Sequence, residues 1–154
     1  MSYTPGMTED SFEVHFGINY VGHALLTKLL LPTLLNTAQT DPDSDVRIIF
    51  VSSAVHKQAP VGGIQFDNLK SKGINPDAMA RYGQSKLTGP PLREGAGTAV
   101  SAGESGLSTP GSRRLFMSGV EDGVKNQLWA ATSDAVISGK YYEPIGVSGK
   151  AGKL

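Results

Sequence analysis

Apolar residues recur at helical spacing from Phe12 to Leu35, and the run "INYVGHALLTKLLLPTLL" predicts one long helix. Thr8 is its expected N-cap, with Glu9 and Asp10 in the first turn, where acidic side chains suit the helix dipole. Pro32 is expected to bend or end the helix, because its ring removes a backbone donor. "DPDSD" then breaks the pattern. "VRIIFV", Val46 to Val51, is a continuous apolar and β-branched run, as expected of a strand buried on both faces of a parallel sheet. Residues 54–76 read as a long loop, of the length that usually serves function or motion. Asp77 is the expected cap of a second helix carrying "MARYGQSKL". A capping box, Ser118-x-x-Glu121, opens a third helix, with Val120, Val124 and Leu128 on one face and Ala131 beside them. "GKYYEP" reads as a short strand, Trp129 as a core anchor, and the tail "GVSGKAGKL" as flexible and basic. Residues 89–114 break the grammar. They are rich in Gly and Ser and poor in large apolar residues, and are expected to be irregular, because little apolar burial offsets the entropy of ordering.

Composition narrows the classes. The chain of 154 residues has 14 basic and 14 acidic side chains, which gives no electrostatic case for nucleic acid or an acidic membrane surface. With no cysteine, a disulfide framework, a thiolate nucleophile and Cys-ligated zinc are all excluded. That composition agrees with a reducing compartment, and a cytoplasmic location is expected. The N-terminus lacks a basic segment followed by an apolar core, so it does not read as a signal peptide. Lys28 and Pro32 interrupt the most apolar run, which falls short of the ~20 residues a membrane span needs. No span is expected.

The chemistry lies in two places. Ser52 and Ser53 follow the first strand, and open α/β sheets place their sites at the carboxyl ends of strands. Tyr82 and Lys86 are four residues apart, on one helix face, at about 6 Å of rise. An ammonium near a phenol favours its ionised form. Such a tyrosine can give a proton to a carbonyl oxygen or take one from an alcohol. From spacing alone, Tyr82 packing on the Lys86 stem at a solvated face remains an alternative. A hydrolase reading fails, since neither "GQSKL" nor "AGESG" is a Gly-x-Ser-x-Gly elbow. His15, His23 and His56 show no metal-ligand spacing, and His23 reads as a packing or capping residue beside Gly22.

"INYVGHALLTKLLLPTLL", "VRIIFVSSAVHK", "YGQSKL", "GVKNQLWAATS" and "SGKYYEPIGV" together resemble the short-chain dehydrogenase/reductase family, nearest its retinol-dehydrogenase-like and fungal light-induced alcohol-dehydrogenase-like branches. The resemblance covers residues 1–88 and about 116–154. It implies an α/β, Rossmann-like, doubly wound parallel sheet and NADP- or NAD-dependent hydride transfer between an alcohol and a carbonyl. The substrate would be small and hydrophobic. By the same resemblance Tyr82 is the acid/base and Lys86 lowers its pKa and holds the nicotinamide ribose. Ser53 steadies the substrate oxygen, with Ser52 as its alternative. Asn19 is a proton-relay residue that also meets the cofactor, or else only a polar kink in the helix.

The same comparison shows departures. The family's opening strand, Gly-rich turn and helix, which hold the cofactor pyrophosphate, have no counterpart here. The expected domain is therefore a single partial one over 1–154, lacking the N-terminal nucleotide-binding half of the sheet. "GAGTAV" at Gly95 does not replace the turn, because Val100 stands at the third glycine and no strand precedes it. A nucleotide string can be written that encodes Leu92 to Arg114 in one frame. Read one base later, it encodes a family-like helix and a strand ending in His-Pro-Gly. The implied origin of the segment is a pair of compensating frameshifts, near Pro90 and near Arg114. As written, the chain is expected to hold a nicotinamide dinucleotide weakly or not at all. It is also expected to self-associate through an exposed sheet edge or the long helix.

Overall fold

A computed structural model describes residues 4–71, 77–87, 98–101 and 120–149. The chain forms two compact units, each discontinuous in sequence. The first comprises Met1–Val46 and Gln58–Thr88, the second Arg47–Lys57 and Gly89–Lys153.

The first unit is helical. A continuous helix, α1, runs Val14–Thr40. It begins with one α turn, Val14–Phe16, passes through a π segment, Gly17–Val21, and continues as α-helix over Gly22–Thr40. Its cap is Glu13, whose side chain accepts from the Phe16 N–H at 2.9 Å. The expected cap, Thr8, is used one step earlier. Its hydroxyl accepts from the Phe12 N–H at 3.2 Å, and its own N–H bonds the Phe12 carbonyl at 2.8 Å, closing a tight turn around Ser11 at φ 62°. Pro32 does not end the helix, which continues to Thr40 and stops where Asp41 turns extended. The bond lost to a proline is local, and Thr37 and Thr40 back-bond to the Thr33 and Asn36 carbonyls on the following turns. At 27 residues the helix is long and apolar enough, by length and composition alone, to cross a membrane. The same test is passed by helices that cross none, and its first turns are tied to another helix.

That helix, α2, spans Ala78–Leu87. Asp77 caps it as expected, its Oδ1 accepting from Met79 and Ala80 at 2.8 and 2.9 Å. The start of α1 and its π segment pack against it. Between them the chain is less open than the expected loop, with 3-10 turns at Ala54–Gln58 and Phe66–Asn68. Gln84 is buried and accepts from the Gln65 N–H at 3.1 Å, fixing this strap to α2.

The second unit is a four-stranded sheet with one described helix. Strands β1 (Ile49–Ser52), β2 (Thr98–Ser101) and β3 (Tyr141–Glu143) run parallel in that order, and β4 (Val147–Ser148) pairs antiparallel with β3. Three expectations change here. β1 starts at Ile49, and Val51 is 46% exposed, so the strand is not buried on both faces. A regular strand, β2, stands inside 89–114, with Val100 opposite Val51 and Tyr142. Backbone pairing on both edges supplies the order that side-chain composition did not suggest. The rest of 89–114 lies outside the described residues, as does Ser118 of the expected capping box. The start of the tail forms β4, and the Gly149 N–H bonds the Tyr141 carbonyl at 3.0 Å; residues 150–154 lie outside the described residues.

Helix α3, Val120–Thr132, packs on the sheet through a different face from the one its valines suggest. Val124 and Leu128 are exposed, whereas Asn126 and Ala130 are buried. Asn126 decides the rotation: its Nδ2 donates to the Tyr142 carbonyl at 3.3 Å and its Oδ1 accepts from Gly146 N–H at 3.1 Å. Ala130 and Tyr142 form the core with Ile49, Trp129 and Val136. Trp129 meets Tyr142 edge-on at 4.9 Å, the anchoring role expected of it. Arg47 Nη1 donates to the Ala130 and Ser133 carbonyls at 3.1 and 2.7 Å, satisfying the otherwise unpaired C-terminal end of α3.

Candidate active site

Three of the four expected residues meet in the first unit. Tyr82 and Lys86 share a face of α2, and the Lys86 ammonium stands 5.8 Å from the centre of the Tyr82 ring. Both are half-buried. A cation at this range interacts with the ring.

Asn19 sits in the π segment of α1. Its Nδ2 donates to Ser85 Oγ at 2.9 Å, and Ser85 Oγ donates to the Tyr82 carbonyl at 2.8 Å. The helix carrying Asn19 is thereby held to the turn carrying Tyr82. A π segment widens the helix by one residue and displaces backbone groups from the regular ladder, and such segments often occur at functional sites. Glycine permits it at this place. A Cβ on Gly17 would lie 2.5 Å from Thr8 Cγ2 and 3.2 Å from Phe12 Cβ.

Ser85 is a member of the constellation that sequence reasoning passed over. Its signal was its spacing, three residues after Tyr82 and one before Lys86, but a helical serine commonly back-bonds and draws no attention. His15 was read only as a non-ligand. Its ring meets the Tyr82 ring edge-on with centroids 6.0 Å apart. His23, expected to pack or cap, is exposed.

Ser53 belongs to the second unit, just beyond the carboxyl end of β1, where an α/β sheet is expected to place its chemistry. It is buried, and its Oγ accepts from the Val55 N–H at 3.2 Å. The Ser53 carbonyl accepts from the His56 N–H at 3.0 Å and lies 2.7 Å from His56 Nδ1, so that nitrogen carries the proton. His56 in turn packs edge-on against Tyr141 at 5.4 Å. Ser52, the alternative, is buried at the end of the same strand.

The last three residues of "GAGTAV", Thr98 to Val100, lie in strand β2.

Known proteins share this sequence in part. A short-chain dehydrogenase/reductase of Emericella nidulans is 32% identical over 149 residues, covering 84% of this chain and 47% of that protein. A short-chain dehydrogenase/reductase of Phomopsis amygdali is 42% identical over 80 residues, 52% of this chain and 24% of that protein. Mouse retinol dehydrogenase 13 is 45% identical over 80 residues, 52% of this chain and 21% of that protein. The chain is related to the short-chain dehydrogenases/reductases, and its fold class is the Rossmann-like α/β class of those relatives. It spans less than half the length of each of these three. No family model and no solved structure matches it.

Proposed function

We propose that the chain carries the proton-transfer residues of an NADP- or NAD-dependent oxidoreductase that interconverts a small hydrophobic alcohol and a carbonyl. The observation that supports this most is the Tyr82–Lys86 pair tied through Ser85 to Asn19. In this reading the chain is part of a doubly wound parallel sheet domain. Ser53 Oγ holds the substrate oxygen by a hydrogen bond. Tyr82 gives its phenolic proton to that oxygen during reduction and takes it back during oxidation. Lys86 stabilises the phenolate between turnovers, and Asn19 helps to return the proton. The nicotinamide, when bound, supplies or accepts the hydride. A cytoplasmic location accords with the absence of cysteine.

A second reading has its own support. Among the described residues, no strand, Gly-rich turn and helix stand in succession to hold a pyrophosphate. One charge-assisted hydrogen bond from Lys86 is worth about 1.5–3 kcal/mol, whereas micromolar binding needs about 8 kcal/mol. Alone, the chain would then be catalytically silent at ordinary cofactor concentrations. Reduction of a hydrophobic aldehyde at millimolar NADPH or NADH tests the catalytic reading. A slow rate that falls by about 100-fold or more in Tyr82→Phe supports it, in line with the usual contribution of general acid catalysis. A rate untouched by Tyr82→Phe refutes it.

A further inference from the structure

A buried charged cluster lies against Tyr82, and no step above uses it. Glu13 is 1% exposed, Arg81 2% and His15 5%. The Glu13 carboxylate is engaged at both oxygens. Its Oε2 accepts from the Phe16 N–H at 2.9 Å, while its Oε1 lies 3.0 Å from His15 Nδ1 and 3.3 Å from Arg81 Nε. A carboxylate only accepts, so His15 carries its proton on Nδ1. The cluster joins the two helices of the site. Glu13 caps the helix that holds Asn19, and Arg81 immediately precedes Tyr82 on the other. The His15 ring contacts both Glu13, through Nδ1 at 3.0 Å, and the Tyr82 ring, with centroids 6.0 Å apart.

Stability alone is a poor reason for such an arrangement. Replacing a buried ion pair by well-packed apolar side chains is often neutral or stabilising. One anion and one cation held in low dielectric do have a strong effect on a neighbouring group that exchanges a proton. We propose that Glu13, His15 and Arg81 are positioning residues that fix Tyr82 relative to Asn19 and set the electric field at its phenol. The proposal rests on the reading of Tyr82 as the acid/base.

Tyr82 meets His15 of α1, which is bonded to Glu13 and through it to Arg81, and Lys86 of its own helix. The π segment brings Asn19 through Ser85, and the strap brings the Gln65 backbone to Gln84, all uncharged. The change in the field therefore depends on which charge is removed. Glu13→Gln removes an anion from the cluster and favours the phenolate; Arg81→Met removes a cation and disfavours it. Mere loosening of the helix junction would move both variants the same way.

The test follows Tyr82 ionisation in the full chain by tyrosinate absorbance, with each protein's Tyr82→Phe counterpart subtracted to remove the other tyrosines of the five. Glu13→Gln is expected to raise the ionisation constant about threefold to tenfold, and Arg81→Met to lower it by a similar factor. The double variant should return within about twofold of the parent. Shifts in one direction, or both below about twofold, overturn the proposal. Where Glu13→Gln does not fold, Arg81→Met must still lower the constant and the double variant restore it, and any other result overturns the proposal. No cofactor is involved. A chain with opposed shifts but no Tyr82-dependent turnover would refute the catalytic reading alone, and turnover without opposed shifts would refute this one alone.

Discussion

Gly17 shows how much one residue carries. It lets the Thr8 turn close against the first helical turn, because a side chain there would meet Thr8 Cγ2 at 2.5 Å. Gly17→Ala should therefore cost about 1–3 kcal/mol of stability, read as a lower thermal midpoint; an unchanged midpoint would show that the turn can yield. Asn19→Ala separates position from stability. It removes the bond to Ser85, which is part-buried, so its effect on Tyr82-dependent rate should exceed its effect on unfolding free energy, the latter about 1 kcal/mol. Equal effects would reduce Asn19 to a structural kink. At this scale the sequence was readable where chemistry follows from spacing. Tyr82 and Lys86 are neighbours on any helix. Ser85 and Glu13 were not readable in the same way, because the partners of each depend on where a second helix lands: Asn19 is 66 positions from Ser85. Ser53 was legible as a strand-end hydroxyl, but not its carbonyl bond to His56, which needs the 3-10 turn that follows.

Elements were legible where local bonding decides them. Asp77 caps α2 as its side chain dictates, and Asp77→Ala should lower stability by about 1 kcal/mol, with helix content falling in circular dichroism and Asp77→Asn retaining most of it. A loss no smaller in Asp77→Asn would mean the cap is not the reason. The start of α1 was misplaced because two candidates competed. Thr8 closes a turn with Phe12, which leaves Glu13 to cap. The buried face of α3 was misjudged for a tertiary reason. Hydropathy favours Val124 and Leu128, yet the bonds of Asn126 to Tyr142 and Gly146 rotate the helix and leave those two exposed. β2 escaped notice because its order comes from pairing with β1 and β3, and no period-2 apolar pattern announces it.

The whole molecule presents more apolar surface than a settled monomer usually does. On α1, Leu25, Leu26, Leu29, Leu30 and Leu35 are all exposed, Leu29 by 68%. Concentration-dependent light scattering should therefore show association, reduced when Leu25 and Leu29 are replaced by Lys; a monodisperse chain at high concentration would contradict this. Relatedness to the short-chain dehydrogenases/reductases was legible in the motif order, while the substrate and the choice between NADP and NAD were not. Residues that would discriminate between the two have no counterpart among the matched motifs. The central proposal is that Tyr82 transfers the proton while the described residues offer no Gly-rich helix start for a pyrophosphate. It is tested most directly by the initial rate of aldehyde reduction as NADPH is raised from micromolar to millimolar. The account predicts a rate that climbs linearly without saturating, and that Tyr82→Phe abolishes. Saturation at micromolar NADPH, or the same slope in Tyr82→Phe, would contradict it.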